Sequence, residues 1–516
     1  MNRGEGGPLA GEAVEFDLVV VGAGMGGLAT AGLAASAGCR VALLEAHTHL
    51  GGCAGYFSRG PYTFDAGATA LMGLEPGQPI GDLLAAVGAR FEHVPRAGYR
   101  VCLPDRRLLI GTPPATFLAD SRLAFPGHDR ARGLFWGLQE AVGSALFRAA
   151  GGIPRLPTLS PADWAHNLAI LGPRGLLAAS TWTLSVLDVL RLLGLHRDRP
   201  FLAFIAMLLQ DTAQAGPETV PFSNAAACLH AYRLGMARPV GGMKALAEGL
   251  GGRFAALGGS LRTGTIVDRV EADPGRGGFV VTTRRRDRLK TRQVAFNLPV
   301  DLAAALLSRP LVGRLGGQER KSRAAWGAFT GYLAIGAAAV PDDAPLFHQV
   351  LQSYDLPPHD GNNVLVSLSP PGDEGYGPPS VRVATLSTHT RPQDWDGLDA
   401  ATYAARKADY RGRLLAALGR ALPDAPGALR HEEFASPRSF RRYTRRTLGA
   451  VGGPPVSRRN SNLLAVGPNA LGPGLWLVGD SVFPGQGTMA TVLSAARVVE
   501  RITGQPWRKL KAPFVA

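Results

Sequence analysis

From Leu18 to Cys39 the chain carries no charged side chain, a stretch long enough to cross a bilayer if it formed one helix. The order of residue types argues against that. Leu18 to Val21 is a short β-branched run that stops at glycine, and Leu28 to Ala37 carries small residues at helical spacing, so the pattern predicts strand, turn and helix. Glycines at 22, 24, 26, 27, 32 and 38 would each cost a continuous helix in water about 1 kcal/mol relative to alanine. Val41 to Leu44 predicts the next parallel strand. At the other end, Leu475 to Val478 reads as a buried strand, followed by a Pro/Gly turn and an amphipathic helix beginning near Thr488. Between these ends, "WGAFTGYLAIGAAAV", "NNVLVSLSP" and "SVRVATLSTHT" predict strands within 300–440, and residues 130–215 read as apolar helices. Asp188 and Arg191 interrupt that helical stretch before a spanning length accumulates.

The glycines carry chemistry. Gly22, Gly24 and Gly27 form GxGxxG directly after a strand: a tight turn, room for a pyrophosphate, and close helix–strand packing. The helix then presents unpaired N–H groups to phosphate. Glu45, at the end of the second strand, is placed to accept hydrogen bonds from ribose hydroxyls, and Gly51-Gly52 mark a second close backbone approach. In "VGDSVFPGQGTMA" the carboxylate of Asp480, after Gly479, suits a ribityl hydroxyl or the phosphate region. The N–H groups of Gly487, Thr488 and Met489 suit the pyrimidine edge of an isoalloxazine, where negative charge collects on reduction. The dinucleotide these segments would share is FAD.

Composition narrows the class. The 516 residues predict about two or three domains. A net charge of +15 fits an anionic surface or acidic ligand, but only six of the 55 cations are lysine, and no aromatic-interleaved basic module supports nucleic acid. Cys39, Cys53, Cys102 and Cys228 form no CxxC and have no His at zinc spacing, so no metal site and a reducing compartment are expected. The segment up to Phe16 lacks the basic start and apolar run of a signal peptide, and a cytoplasmic location is expected.

The GxGxxG at 22–27, Glu45, Gly51-Gly52, "FDAG" at 64–67, "RPVGGMKALAEGL" at 238–250 and "VGDSVFPGQGT" at 478–488 together resemble the flavin-dependent carotenoid oxidoreductases: phytoene desaturases, carotenoid isomerases, ketolases and 3,4-desaturases. The resemblance implies FAD along the glycine turn, Glu45 on the adenosine ribose, Val267 at the adenine and Asp480 near the ribityl chain. The turn at Phe483–Met489 departs from the His-Pro-Gly type of phytoene desaturases and is similar to that of isomerase and 3,4-desaturase members. It implies a desaturase acting at C-3,4 of a carotenoid, with cis–trans isomerisation as the rival reading and a flavin-free prenyl-lipid escort as a remote one. An amine oxidase would want an aromatic cage, which is not apparent.

The expected architecture is α/β, with a discontinuous Rossmann-type FAD domain at 16–100, 235–300 and 440–516, a helical, membrane-facing subdomain at 101–234, and a mixed-sheet substrate domain at 301–439. The helical segment is either a plain core or a membrane-dipping entry. In the second case Trp182, Leu193, Phe201, Phe204 and Met207 would touch acyl chains and Arg197 and Arg199 headgroups, giving peripheral membrane attachment. "TRRRDRLKTR" at 283–292 is expected as a solvated hairpin tip, and Arg441, Arg442, Arg445 and Arg446 are expected in solvent, with phospholipid contact as the alternative. The tail, with Trp507, Arg508, Lys509, Lys511 and Phe514, has an interfacial composition on a frayed end. Hydride loss to a flavin makes the neighbouring proton acidic, so no strong base is required. Asp211, Glu218, His230 and Tyr232 are the base candidates, each with a plain packing or helix-end alternative, and quinone or oxygen is the electron acceptor.

Overall fold

The computed structural model describes residues 15–97, 99–110, 114–275, 277–308, 315–317, 320, 324–510 and 512. At its centre β1 (Glu15–Val21) pairs in parallel with β2 (Val41–Leu44) on one side and β3 (Arg288–Phe296) on the other. Ser260–Arg262 extends the sheet beyond β2, and Leu475–Leu477 pairs in parallel with the end of β3. Leu18, Val19 and Val20 are wholly buried, as an unbroken apolar run requires when both sheet faces are covered. The helix α1 (Met25–Ser36) follows the glycine turn, so the uncharged stretch is strand, turn and helix. The basic segment at 283–292 is the solvated hairpin expected, with Arg284, Arg285 and Arg286 exposed between Phe279–Thr283 and β3.

A second seven-stranded sheet holds β4 (Gly327–Gly336) and β5 (Val381–Thr390), with Leu429–Ala435 at one edge. At its other edge lie Tyr99–Cys102 and Arg107–Ile110. These two strands fall largely inside the segment expected to be helical. Tyr99–Cys102 pairs in parallel with Phe347–Leu351, a partner far along the chain that no local pattern announces.

Helices fill the rest of 101–234, among them α2 (Pro161–Ser180), α3 (Arg199–Ala213) and α4 (Phe222–Arg233). Phe201, Phe204 and Met207 are 0% exposed, so these three do not meet acyl chains. All three are core, and Phe201 and Phe204 join an aromatic cluster with Phe125, Phe135 and Trp136. The carbonyl of Met207 accepts from Gln349 Nε2 and Asn363 Nδ2, which fixes α3 against the second sheet. Leu193 is half-buried, Trp182 donates its indole N–H to Ser461 Oγ at 3.3 Å, and Arg197 and Arg199 are exposed, the latter paired with Asp355. Four exposed apolar side chains, Trp164, Leu168, Leu176 and Leu177, lie on α2, and Leu123, Leu134, Leu138 and Leu192 are exposed elsewhere in the helical region. Among the described residues no helix is long and apolar enough to cross a membrane. The tail is docked rather than frayed as far as it is described. Trp507 is buried and Arg508 pairs with Asp82 at 2.7 Å, whereas Lys511 and Phe514 lie outside the described residues.

One buried ion pair ties the segments together. Asp65, in the "FDAG" motif, accepts from Arg238 at 2.9 Å, from Tyr376 Oη at 2.8 Å and from the Met243 backbone N–H at 2.8 Å. Two of the recognised motifs thus meet each other, with Tyr376 contributed by the loop at 371–380.

Candidate active site

A cavity of 1510 Å³ runs between the two sheets and the helices. One end is built by the glycine turn. Gly22 has φ 95°, a left-handed conformation that favours glycine, and a Cβ on Gly27 would lie 1.9 Å from the Gly22 carbonyl oxygen. The third glycine of the motif therefore lets helix and strand touch and does not itself face the cavity, whereas Gly22 and Gly24 do. Gly24 starts α1, and its backbone pairs with Gly51, whose N–H donates to the Ala23 carbonyl at 2.9 Å. Gly51 and Gly52 thus brace the turn while also forming part of the wall.

Glu45 lies beside this turn. Its Oε2 accepts from the Ala23 N–H at 2.6 Å and its Oε1 from the His47 N–H at 2.7 Å. Burial pushes its carboxyl above the usual range, and the backbone donors of His47, Ala23 and Ala46 pull the other way. Each oxygen keeps a lone pair for a ribose hydroxyl. Val267 borders the same end of the cavity.

The C-terminal segment supplies the opposite flank. Gly487 precedes the helix α5 (Thr488–Thr503), and Gly487, Thr488 and Met489 line the cavity at its N-terminus, as does Asp480. Gly479 sits behind the wall, its N–H donating to Ser494 Oγ at 2.9 Å. Two residues of this region escaped the sequence pattern. Asn297 places its amide where a Cβ on Gly24, Gly26 or Gly479 would come within 2.7 Å, so it joins the two glycine segments. Arg446, expected in solvent with its neighbours, is instead turned inward: one nitrogen meets both Asp480 oxygens at 2.7 and 2.6 Å, and another donates to the Gly452 carbonyl at 2.7 Å. Burial works against the Arg446 charge, but Asp480 and Cys53 beside it outweigh that and hold the guanidinium above its ordinary pKa. Arg441, Arg442 and Arg445 are exposed.

The rest of the cavity is largely apolar, with Leu168, Leu171 and Trp164 of α2 and Trp182 on its wall. Of the four base candidates, Asp211 and Tyr232 face this chamber and touch each other, Tyr232 Oη donating to Asp211 Oδ2. Glu218 is exposed in the turn between α3 and α4, and His230 faces Glu140 at 3.2 Å; neither lines the cavity.

The donor set fits FAD: two helix N-termini, a glycine turn at an elongated cavity, carboxylates at 45 and 480, and the Arg446 cation. A bound flavin would supply a reversible two-electron acceptor at the edge of the apolar chamber.

Residues 25–503 match the family described as flavin containing amine oxidoreductase. Prolycopene isomerase, chloroplastic, of Daucus carota is 24% identical over 519 residues, covering 98% of this chain and 83% of that protein. Among solved structures, an oxidoreductase from Methanosarcina mazei shares the fold with a TM-score of 0.62 at 17% identity, covering 94% of this chain and 100% of the other. Cyclohexylamine oxidase from Brevibacterium oxydans IH-35A does so with 0.62 at 14% identity, covering 94% and 99%. The chain belongs to the flavin containing amine oxidoreductase family and is an FAD-dependent oxidoreductase.

Proposed function

We propose that the protein is a carotenoid desaturase that introduces a double bond at C-3,4, with FAD as its cofactor. The observation that carries this is the continuity of one cavity from the phosphate turn to a long apolar chamber, a shape suited to a polyene and poor for a small amine. In this reading Gly22, Gly24, Gly51 and Gly52 receive the pyrophosphate, Gly27 and Gly479 hold the backbone around it, Glu45 and Val267 take the adenosine, and Asp480 with Arg446 meets the ribityl–phosphate region. Gly487, Thr488 and Met489 face the pyrimidine edge. Quinone or oxygen reoxidises the cofactor. The intact phosphate turn weighs against a flavin-free escort.

Carotenoid cis–trans isomerisation is the second reading, favoured by the likeness to prolycopene isomerase along nearly the whole chain. Anaerobic incubation of the FAD-loaded protein with acyclic carotenoids, followed by chromatography and mass analysis, separates the two. Desaturation removes two hydrogens and lengthens the chromophore; unchanged mass with altered geometry replaces it with isomerisation.

A water-insoluble substrate needs a route from lipid. Trp164 and Leu168 are about half exposed yet also line the cavity, so α2 forms a greasy mouth suited to peripheral attachment at a membrane surface. Recovery of the full chain wholly in the detergent-free soluble fraction argues against attachment.

A further inference from the structure

The polar groups in the apolar chamber are not all of one kind. Asp211 keeps accessible surface although protein encloses it, as a side chain opening onto an internal cavity does. Three other enclosed carboxylates carry an arginine, Asp65 with Arg238, Asp163 with Arg501 and Asp480 with Arg446, and Glu45 is held instead by the backbone N–H groups of Ala23 and His47. Among the described residues Asp211 has no cation within ion-pair distance, and its side-chain partner is the neutral Tyr232 hydroxyl. Tyr99 packs against Tyr232 with ring centroids 5.6 Å apart but gives its own hydroxyl proton to Gln349. One oxygen of Asp211 is therefore committed and the other is free toward the chamber.

Its position matters as much. The next residue, Thr212, accepts from Gln486 Nε2 at 2.7 Å through its carbonyl. Gln486 belongs to the turn that delivers the N-terminus of α5, so Asp211 is tied to the flavin-facing loop through one peptide unit. An ion-pairing role would need a cation and a packing role would need no free oxygen; a proton-transfer role needs what is present.

We propose that Asp211 is the catalytic proton acceptor and that Tyr232 positions it. This rests on the carotenoid reading above. Two hydrogens leave adjacent carbons in desaturation. A bound FAD would supply the two-electron acceptor for one, taken as hydride; the other leaves as a proton onto the free Asp211 oxygen, and the electron pair of its broken C–H bond becomes the new C=C π bond. In the isomerase reading the same O–H lends a proton to a polyene carbon and takes it back, with no net redox change.

Titration supports the assignment. Burial raises the Asp211 carboxyl to about 6, and the Tyr232 hydrogen bond pulls the other way. The groups facing it are neutral at that pH. Burial raises Tyr99 and Tyr232 well above the ordinary phenol range and Cys228 of α4 to about 11, while burial and His359 lower His389 of β5, on the same cavity wall, to about 4.

The test uses the full-length FAD-loaded protein, with Asp211→Asn and Tyr232→Phe. Infrared difference spectra between acid and neutral pH should show a carboxyl band titrating near 6 that Asp211→Asn abolishes. FAD retention and carotenoid-binding absorbance should stay as in the wild type while kcat falls about 100-fold or more. Tyr232→Phe should lower kcat less than Asp211→Asn does and should move the acid limb of the kcat profile to higher pH, because the bond that lowers the Asp211 pKa is gone. An Asp211→Asn protein with wild-type kcat and an unchanged acid limb overturns this proposal alone; a wild-type protein that converts no carotenoid overturns the functional reading beneath it.

Discussion

Two arginine–carboxylate pairs in this molecule use the same functional groups in different settings. Asp65–Arg238 is sealed, with side-chain exposures of 1% and 0%, whereas Asp480–Arg446 keeps 16% and 13%. Asp65 is closed off from the cavity, its oxygens held by Arg238, Tyr376 and the Met243 N–H, and it acts as a clasp between distant segments. Asp480 and Arg446 both line the cavity, where their remaining lone pairs and N–H groups can meet a cofactor. A small difference in exposure separates a structural bond from a binding surface.

The largest expected effect comes from opening the clasp. Asp65→Asn leaves the Arg238 charge without its counter-ion and should cost about 3–5 kcal/mol in denaturant unfolding, whatever the FAD concentration. Asp480→Asn or Arg446→Met should cost less, about 2–3 kcal/mol, and should weaken FAD retention, seen as release of yellow cofactor on gel filtration. If Asp65→Asn released FAD while remaining as stable as wild type, the contrast between the pairs would be lost. Asp211, the carboxyl without a cation, sharpens the comparison through pH. Its folded pKa of about 6 lies above the ordinary 3.8, so the folded state binds more protons between those values and wild-type stability falls with rising pH there. Asp211→Asn should therefore gain up to about 2 kcal/mol on wild type from pH 4 to pH 7, read from paired urea titrations. Smallest of all, Glu433→Gln at the exposed Arg59–Glu433 pair should shift stability by about 0.5 kcal/mol or less, and less still in high salt.

What could be read from sequence was whatever is encoded locally. Between Leu18 and Glu45 a β-branched run, three spaced glycines and a terminal glutamate define strand, turn, helix and strand, and β1, α1 and β2 follow them closely. Arg446 could not be read that way, because it stands in a run of arginines whose other members are exposed and only a partner 34 positions away turns it inward. Asn297 is likewise an ordinary strand-end amide until Gly24 and Gly479 arrive on either side. Apolar composition in 199–213 signalled burial without saying in what. Phe201 and Met207 proved to be core, while Trp164, Leu168, Leu176 and Leu177 of α2, whose sequence is less hydrophobic, are exposed. The division into 101–234 and 301–439 blurred for the same reason: strand pairing between Tyr99–Cys102 and Phe347–Leu351 is a property of topology.

The packing of α5 on α1 also dictates a timetable. The first half of the cradle, at α1, is translated more than 400 residues before the helix that completes it. Until then the glycine turn is an open shelf that cannot retain a dinucleotide, so the apoprotein must survive translation on its clasp and cores alone. Coenzyme loading therefore waits for α5, and binding then adds its free energy to the stability of the folded state.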